Sequence, residues 1–194
     1  MHLFGPDLSE RNRQPEWMDE PGLDPELHRA ALVGLRRVNA ISRTVNHIWR
    51  AITRELKKPV DHPLVVGDLA CGGGDIAIEL AQLAHQAGWP VRVIGYDLSE
   101  QALRFARKRA EETALDVSFK SRDLLGAELP AGIDVFYSSL FMHHLSNEDA
   151  GRLLASAGRQ ARQLVVISDL VRSGWGYGLA WWGGAAPQPL AAGS

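Results

Sequence analysis

Three acids and a run of glycines carry the chemical signal in this sequence. Asp68-Leu69-Ala70-Cys71-Gly72-Gly73-Gly74-Asp75 follows the apolar stretch Leu64 to Gly67 and precedes a helical one. Successive glycines let a backbone turn tightly and approach a ligand, because no Cβ stands in the way. The helix that follows presents free N–H groups at its start. Asp97 closes a second apolar stretch, Val91 to Tyr96, and Asp123 follows a third, Asp116 to Lys120. A carboxylate at a strand end can accept hydrogen bonds from both hydroxyls of a ribose. Another, one strand over, could accept from the exocyclic amine of adenine. Each feature also has a plain structural reading. The glycines suit a tight turn with no ligand, Asp97 a helix N-cap, and Asp123 a solvated loop. Ser99 can serve as the cap instead, which leaves Asp97 for a ligand.

These residues need a scaffold that gathers strand ends. From Leu64 onward, short apolar runs at 64–68, 91–96, 116–120, 133–138 and 164–168 read as strands. Helical stretches at 76–86, 99–113 and 147–162 alternate with them. That alternation predicts an α/β fold with a mostly parallel sheet and helices on both faces, and ligands of such sheets sit beyond the strands' carboxyl ends. Upstream, Asp24-Pro25-Glu26 reads as an N-cap, a proline at the first helical position and a first-turn acid. Leu27, Ala31, Leu35, Val38, Ile41, Val45 and Ile48 then recur at helical spacing. The expected organisation is a flexible arm over 1–22, a helical lid over 23–58, the sheet domain over 59–173 and a truncated or disordered tail over 174–194, with a short helix near Leu179 to Trp182. Trp17, Met18, Asn39, Arg43 and Trp49 are the lid's candidates for substrate contact, although an apolar stripe of this type is more often simple packing.

Composition narrows the function. The chain has 194 residues, 45% hydrophobic and 23% charged, enough for one domain with a sizeable core. A formal net charge of −2 gives no electrostatic footprint for nucleic acid or an acidic membrane. No stretch approaches the roughly 20 apolar residues of a membrane span, and the acidic N-terminus does not read as a signal peptide. The single cysteine, Cys71, excludes an internal disulfide and a cysteine zinc cluster. The expectation is a cytoplasmic protein that engages neither nucleic acid nor membrane, with no metal.

Asp68 to Gly74, Gly95-Tyr96-Asp97-Leu98-Ser99 and Ser121-Arg122-Asp123 together resemble the first three motifs of class I methyltransferases, in order and in spacing. Residues 24–173 also resemble bacterial small-molecule methyltransferases of the methyltransferase-domain type. That likeness rests on Ser139-Leu140-Phe141-Met142-His143-His144-Leu145 and Asp169-Leu170-Val171-Arg172. The resemblance implies a three-layer, Rossmann-like sheet of strand order 3-2-1-4-5, with S-adenosyl-L-methionine as cosubstrate and a small-molecule methyl acceptor. It implies that Gly72 and Gly74 flank the methionine portion, Asp68 holds its amino end, Asp97 takes the ribose and Asp123 the adenine. Ala70, Cys71, Leu98, Leu124 and Ser139 complete the implied cofactor-binding set. His143 and His144 are the candidate catalytic bases where the acceptor must lose a proton, since an imidazole titrates near neutrality. The plainer alternative has His143 packed under its loop and His144 capping or facing solvent. Tyr137, Ser138 and Phe141 are candidates to line the pocket.

Two features depart from the family pattern. Ala70 stands where many relatives have the first glycine. Relatives also continue past strand five with a helix and two further strands, whereas Asp169 to Ser194, with Pro187-Gln188-Pro189, cannot supply these. The expectation is a sheet that lacks strands six and seven and ends at strand five. Such an unpaired apolar edge invites homodimerisation or aggregation. An inactive cofactor-binding fragment is one reading of that end. The other rival is an NAD-dependent oxidoreductase, because Gly72 to Ala77 formally fits G-x-G-x-x-G/A with Asp97 about twenty residues beyond. Asp68 before the glycines, Asp123 after strand three and the lack of a Tyr-x-x-x-Lys set argue against it.

Overall fold

The computed structural model describes residues 44–59 and 61–169. The expected arm, the lid up to Arg43, the residues from Leu170 and the tail fall outside them, as do Trp17, Met18 and Asn39. The described elements run α1 (Thr44–Glu55), β1 (Leu64–Leu69), α2 (Asp75–Gln86), β2 (Val91–Asp97), α3 (Glu100–Glu111), β3 (Val117–Ser121), β4 (Ile133–Ser139), a 3-10 turn (Met142–His144), α4 (Asn147–Gln160) and β5 (Ala161–Ser168). All five strands pair in parallel, in the order β3-β2-β1-β4-β5. This is the Rossmann-like arrangement expected, and it brings the ends of β1, β2 and β4 side by side.

The two central strands, β1 and β4, are buried along almost their whole length. Helices cover both faces there, which is why both strands are nearly continuous apolar runs. On one face, Ile48 and Ile52 of α1, Leu80 of α2 and Leu103 of α3 close over Val66, Val93, Val135 and Tyr137. On the other, Leu153 and Ala157 of α4 pack with Leu69, Tyr96 and Phe136. Fully burying a side chain such as Phe136 contributes roughly 1.5–3 kcal/mol.

Local chemistry fixes where the helices start. Ser99 Oγ accepts from the Ala102 N–H at 3.2 Å, and Ser146 Oγ accepts from the Asp149 N–H at 2.9 Å. Both serines are N-caps, which typically contribute about 1 kcal/mol. The last strand begins earlier than its apolar run suggests, at Ala161 rather than Leu164. Ala161 pairs with Ile133 and Leu164 with Val135, with a register shift between Ile133 and Val135. Pairing there overrides the helix-forming tendency of Arg162-Gln163. Asp134, buried at the shift, accepts from the Val65 N–H at 2.9 Å and lies 3.7 Å from the Arg162 guanidinium.

Trp49 of α1 meets Trp89 edge to face, ring centroids 5.3 Å apart. Trp89 precedes β2, so this contact lies at the strands' amino ends, away from the expected cleft. Trp49 is therefore a packing residue rather than a substrate contact. Among the described residues, no helix is long and apolar enough to cross a membrane.

Candidate functional site

The chain leaves β1 through a left-handed turn, with φ of 62° at Ala70, 50° at Gly72 and 74° at Gly74. A Cβ at Gly72 would meet nothing within 4 Å among the described residues, so conformation alone asks for glycine there. Among the described residues, that side of the turn is open. Gly74 is different, because a Cβ would come 2.5 Å from the Phe119 ring and 2.9 Å from Ala106. Ala70 adopts the same left-handed backbone despite its methyl group, which costs roughly 1–2 kcal/mol.

Asp97 ties this turn to the end of β2. Its Oδ2 accepts from the Gly72 N–H at 2.8 Å, and its Oδ1 accepts from the Ser99 N–H at 2.8 Å. The Cys71 N–H donates to the Tyr96 carbonyl at 3.0 Å. Ser99 caps α3, as the sequence suggested, but Asp97 also positions the glycine turn, a role that spacing alone does not reveal.

Asp68 lies between Gly95 of β2 and Tyr137 of β4 in the sheet register and is buried. Burial pushes its carboxyl up to about 7; the neighbouring Tyr137 hydroxyl pulls the other way, and the Asp97 carboxylate pushes it up further. Among the described residues, Tyr137 Oη nonetheless has no partner within hydrogen-bonding geometry, and the same is true of Ser138 Oγ and Ser139 Oγ. Tyr137 and Ser138 are fully buried in the sheet core, as Asp68 nearly is. Burial first, then the Asp68 and Asp97 carboxylates, push the Cys71 thiol well up, which keeps it protonated and unsuited to nucleophilic work.

Asp123 stands on an exposed turn. Its Oδ1 accepts from the Leu125 and Gly126 N–H groups, both at 2.9 Å. Those bonds, Gly126 first, hold its carboxyl below the usual range. Leu98, beside Asp97, is 70% exposed, whereas Leu124 is buried against the α4 side of the sheet.

The histidine pair follows β4. Leu140, at φ 53°, turns the chain, and its N–H donates to the Ser168 carbonyl at 3.0 Å. His143 then meets Asp169, just past β5, with Nδ1 at 2.7 Å from Oδ1 and its backbone N–H donating to Oδ2 at 3.1 Å. The His144 ring lies 4.1 Å from that of His143 and 6.3 Å from that of Phe141. Asp169 was legible only as part of a family segment. The pairing of Ser139 with Ser168 is what delivers it to His143.

The sheet order, with the glycine turn at the carboxyl end of β1, is that of open α/β sheets, whose ligands sit beyond the strands' carboxyl ends. Residues 66–163, just over half of the chain, match the family described as methyltransferase domain, and the chain belongs to that family. It is 36% identical over 83 residues to demethylmenaquinone methyltransferase of Thermus thermophilus, covering 43% of this chain and 34% of that protein. It is 32% identical over 111 residues to 2-phytyl-1,4-naphtoquinone methyltransferase of Synechococcus elongatus, covering 55% of this chain and 44% of the relative. The matched stretch thus spans less than half of either curated relative. Magnesium protoporphyrin IX methyltransferase from Synechocystis PCC 6803, solved with bound SAH, shares the fold at a TM-score of 0.59 and 22% identity, covering 88% of this chain and 72% of that one. The nicotinamide reading finds no support among these relatives.

Proposed function

We propose that this chain binds S-adenosyl-L-methionine at the carboxyl ends of β1 and β2 and transfers its methyl group to a small-molecule acceptor. The observation that carries this reading is the Asp97 carboxylate, fixed by the Gly72 and Ser99 N–H groups beside the open side of the glycine turn. The donor set suits the cosubstrate. Asp97 would accept from the ribose hydroxyls with the lone pairs left over from the Gly72 and Ser99 N–H bonds, Gly72 would allow close backbone approach, and buried Asp68 would offer its carboxyl group to an ammonium group. Asp123 would take the adenine amine through Oδ2, since Oδ1 serves its own turn. Leu98, Leu124, Ala70, Cys71 and Ser139 complete the walls.

Bound S-adenosylmethionine supplies an electrophilic methyl on a sulfonium. The chain's own work is to align the acceptor and exclude water, and such alignment is worth roughly 7–11 kcal/mol in favourable cases. Where the acceptor must lose a proton, His143 is the base. Asp169 accepts from Nδ1–H and so selects the tautomer whose lone pair lies on Nε2. The curated relatives named for quinone methylation support an acceptor of that size and type. A cytoplasmic location and self-association along the outer edge of β5 belong to the same reading. Labelled methyl transfer to a panel of phenols, quinones and polyketides tests it. Turnover of a small acceptor is expected, whereas binding of S-adenosylhomocysteine without any turnover would favour an inactive fragment.

A further inference from the structure

The glycine turn is held from a second side by a residue outside every motif described above. Arg109, in the last turn of α3, donates through Nη1 to the Gly73 carbonyl at 3.1 Å and to Asp75 Oδ1. The arginine side chain is 18% exposed and the aspartate 8%, so water screens the pair only weakly. One turn back on the same helix, the Phe105 ring centroid lies 5.6 Å from the Arg109 guanidinium carbon and helps to aim it. Asp75 is the first residue of α2, and the N-cap before it, Gly74, makes no side-chain capping bond. Arg109 therefore reaches the start of α2 as a donor, to the Gly73 carbonyl and the Asp75 carboxylate, whereas Ser99 and Ser146 cap α3 and α4 by accepting from helix N–H groups.

We propose that Arg109 is a positioning residue for the methyl donor, holding Gly72 to Gly74 in the conformation that receives the donor's methionine portion. The inference rests on the reading of this turn as the S-adenosylmethionine site. Three adjacent glycines have more backbone freedom to lose than any other tripeptide. A turn that visits other conformations binds more weakly, in proportion to the fraction that is competent. Asp97 anchors Gly72 from the β2 side, and Arg109 anchors Gly73 and Asp75 from the α3 side, so the turn is clamped at both ends. A charge-assisted arginine–carboxylate pair suits this task, because it adds directional geometry to the attraction.

The test is calorimetric titration of S-adenosylhomocysteine into the full chain as wild type, Arg109→Met and Arg109→Lys, with amide hydrogen exchange followed across residues 72–77. Arg109→Met is expected to weaken binding about tenfold or more and to speed exchange in the turn while leaving β5 protected. Arg109→Lys is expected to fall between, since a single ammonium cannot reproduce the guanidinium fork. Should Arg109→Met not fold, the lysine variant carries the comparison, and wild-type affinity in it would overturn the inference. A lowered melting temperature with unchanged affinity would also overturn it, by reducing Arg109 to a structural prop. Wild-type protein that ignores S-adenosylhomocysteine would instead sink the reading of the site itself, and this inference with it.

Discussion

Asp169, the first residue after β5, grips His143 by both its ring Nδ1, at 2.7 Å, and its backbone N–H, at 3.1 Å. A carboxylate that engages both backbone and ring fixes the imidazole in one orientation, which is what a proton acceptor in a positioned site requires. With an acceptor bearing an ionisable hydroxyl, His143→Ala is expected to lower kcat by about 10² to 10⁴-fold. S-adenosylhomocysteine affinity should stay at the wild-type value. Asp169→Asn should lower kcat less and leave the acceptor KM nearly unchanged, because it disturbs the base and not the binding surface. Steady-state kinetics check both, and full activity in His143→Ala would remove this histidine from the mechanism.

Buried Asp68 makes stability depend on pH in a definite direction. An unfolded aspartate ionises near pH 4, whereas the folded carboxyl is pushed up to about 7. Between those values the native state keeps a proton that the unfolded chain has lost, so stability falls as pH rises through the window. Asp68→Asn has no such proton. Its unfolding free energy relative to wild type should therefore climb by on the order of a few kcal/mol from about pH 4 to about pH 7, measured by urea unfolding. A difference that stays flat across the window would show that Asp68 ionises like an exposed acid.

The methyl group of Ala70 sits on left-handed backbone, φ 62°. Ala70→Gly relieves that strain and adds backbone entropy to the unfolded chain, two opposing effects. Strain is the larger, so the variant should be more stable by about 0.5–1 kcal/mol. Thermal unfolding at fixed pH measures the change, and a loss of stability would mean that the methyl makes contacts which outweigh the strain.

Much of this architecture is written in local pattern. The alternation of apolar runs with helical stretches specifies the five strands, and the order of the motifs places Asp68, Asp97 and Asp123 at one edge of the sheet. The missed features depend on partners distant in sequence. Arg109 reads as one cation on an amphipathic helix, and only the packing of α3 beside β2 and β3 brings it to Gly73 and Asp75. Asp169 reads as a loop acid until β4 and β5 pair. Asp134 reads as a charge inside an apolar strand, and only the pairing of β1 with β4 brings it to the Val65 N–H. The burial of Tyr137 and Ser138 is not legible either, because a strand end looks the same from sequence whether or not helices cover it.

The most direct test of the account is titration of S-adenosylhomocysteine into wild-type protein and into Asp97→Ala. Wild type should bind, and the variant should lose about 10- to 100-fold in affinity, since it forfeits hydrogen bonds to a charged acceptor and the anchor on Gly72. Equal affinity in the two proteins, or no binding by the wild type, would contradict it.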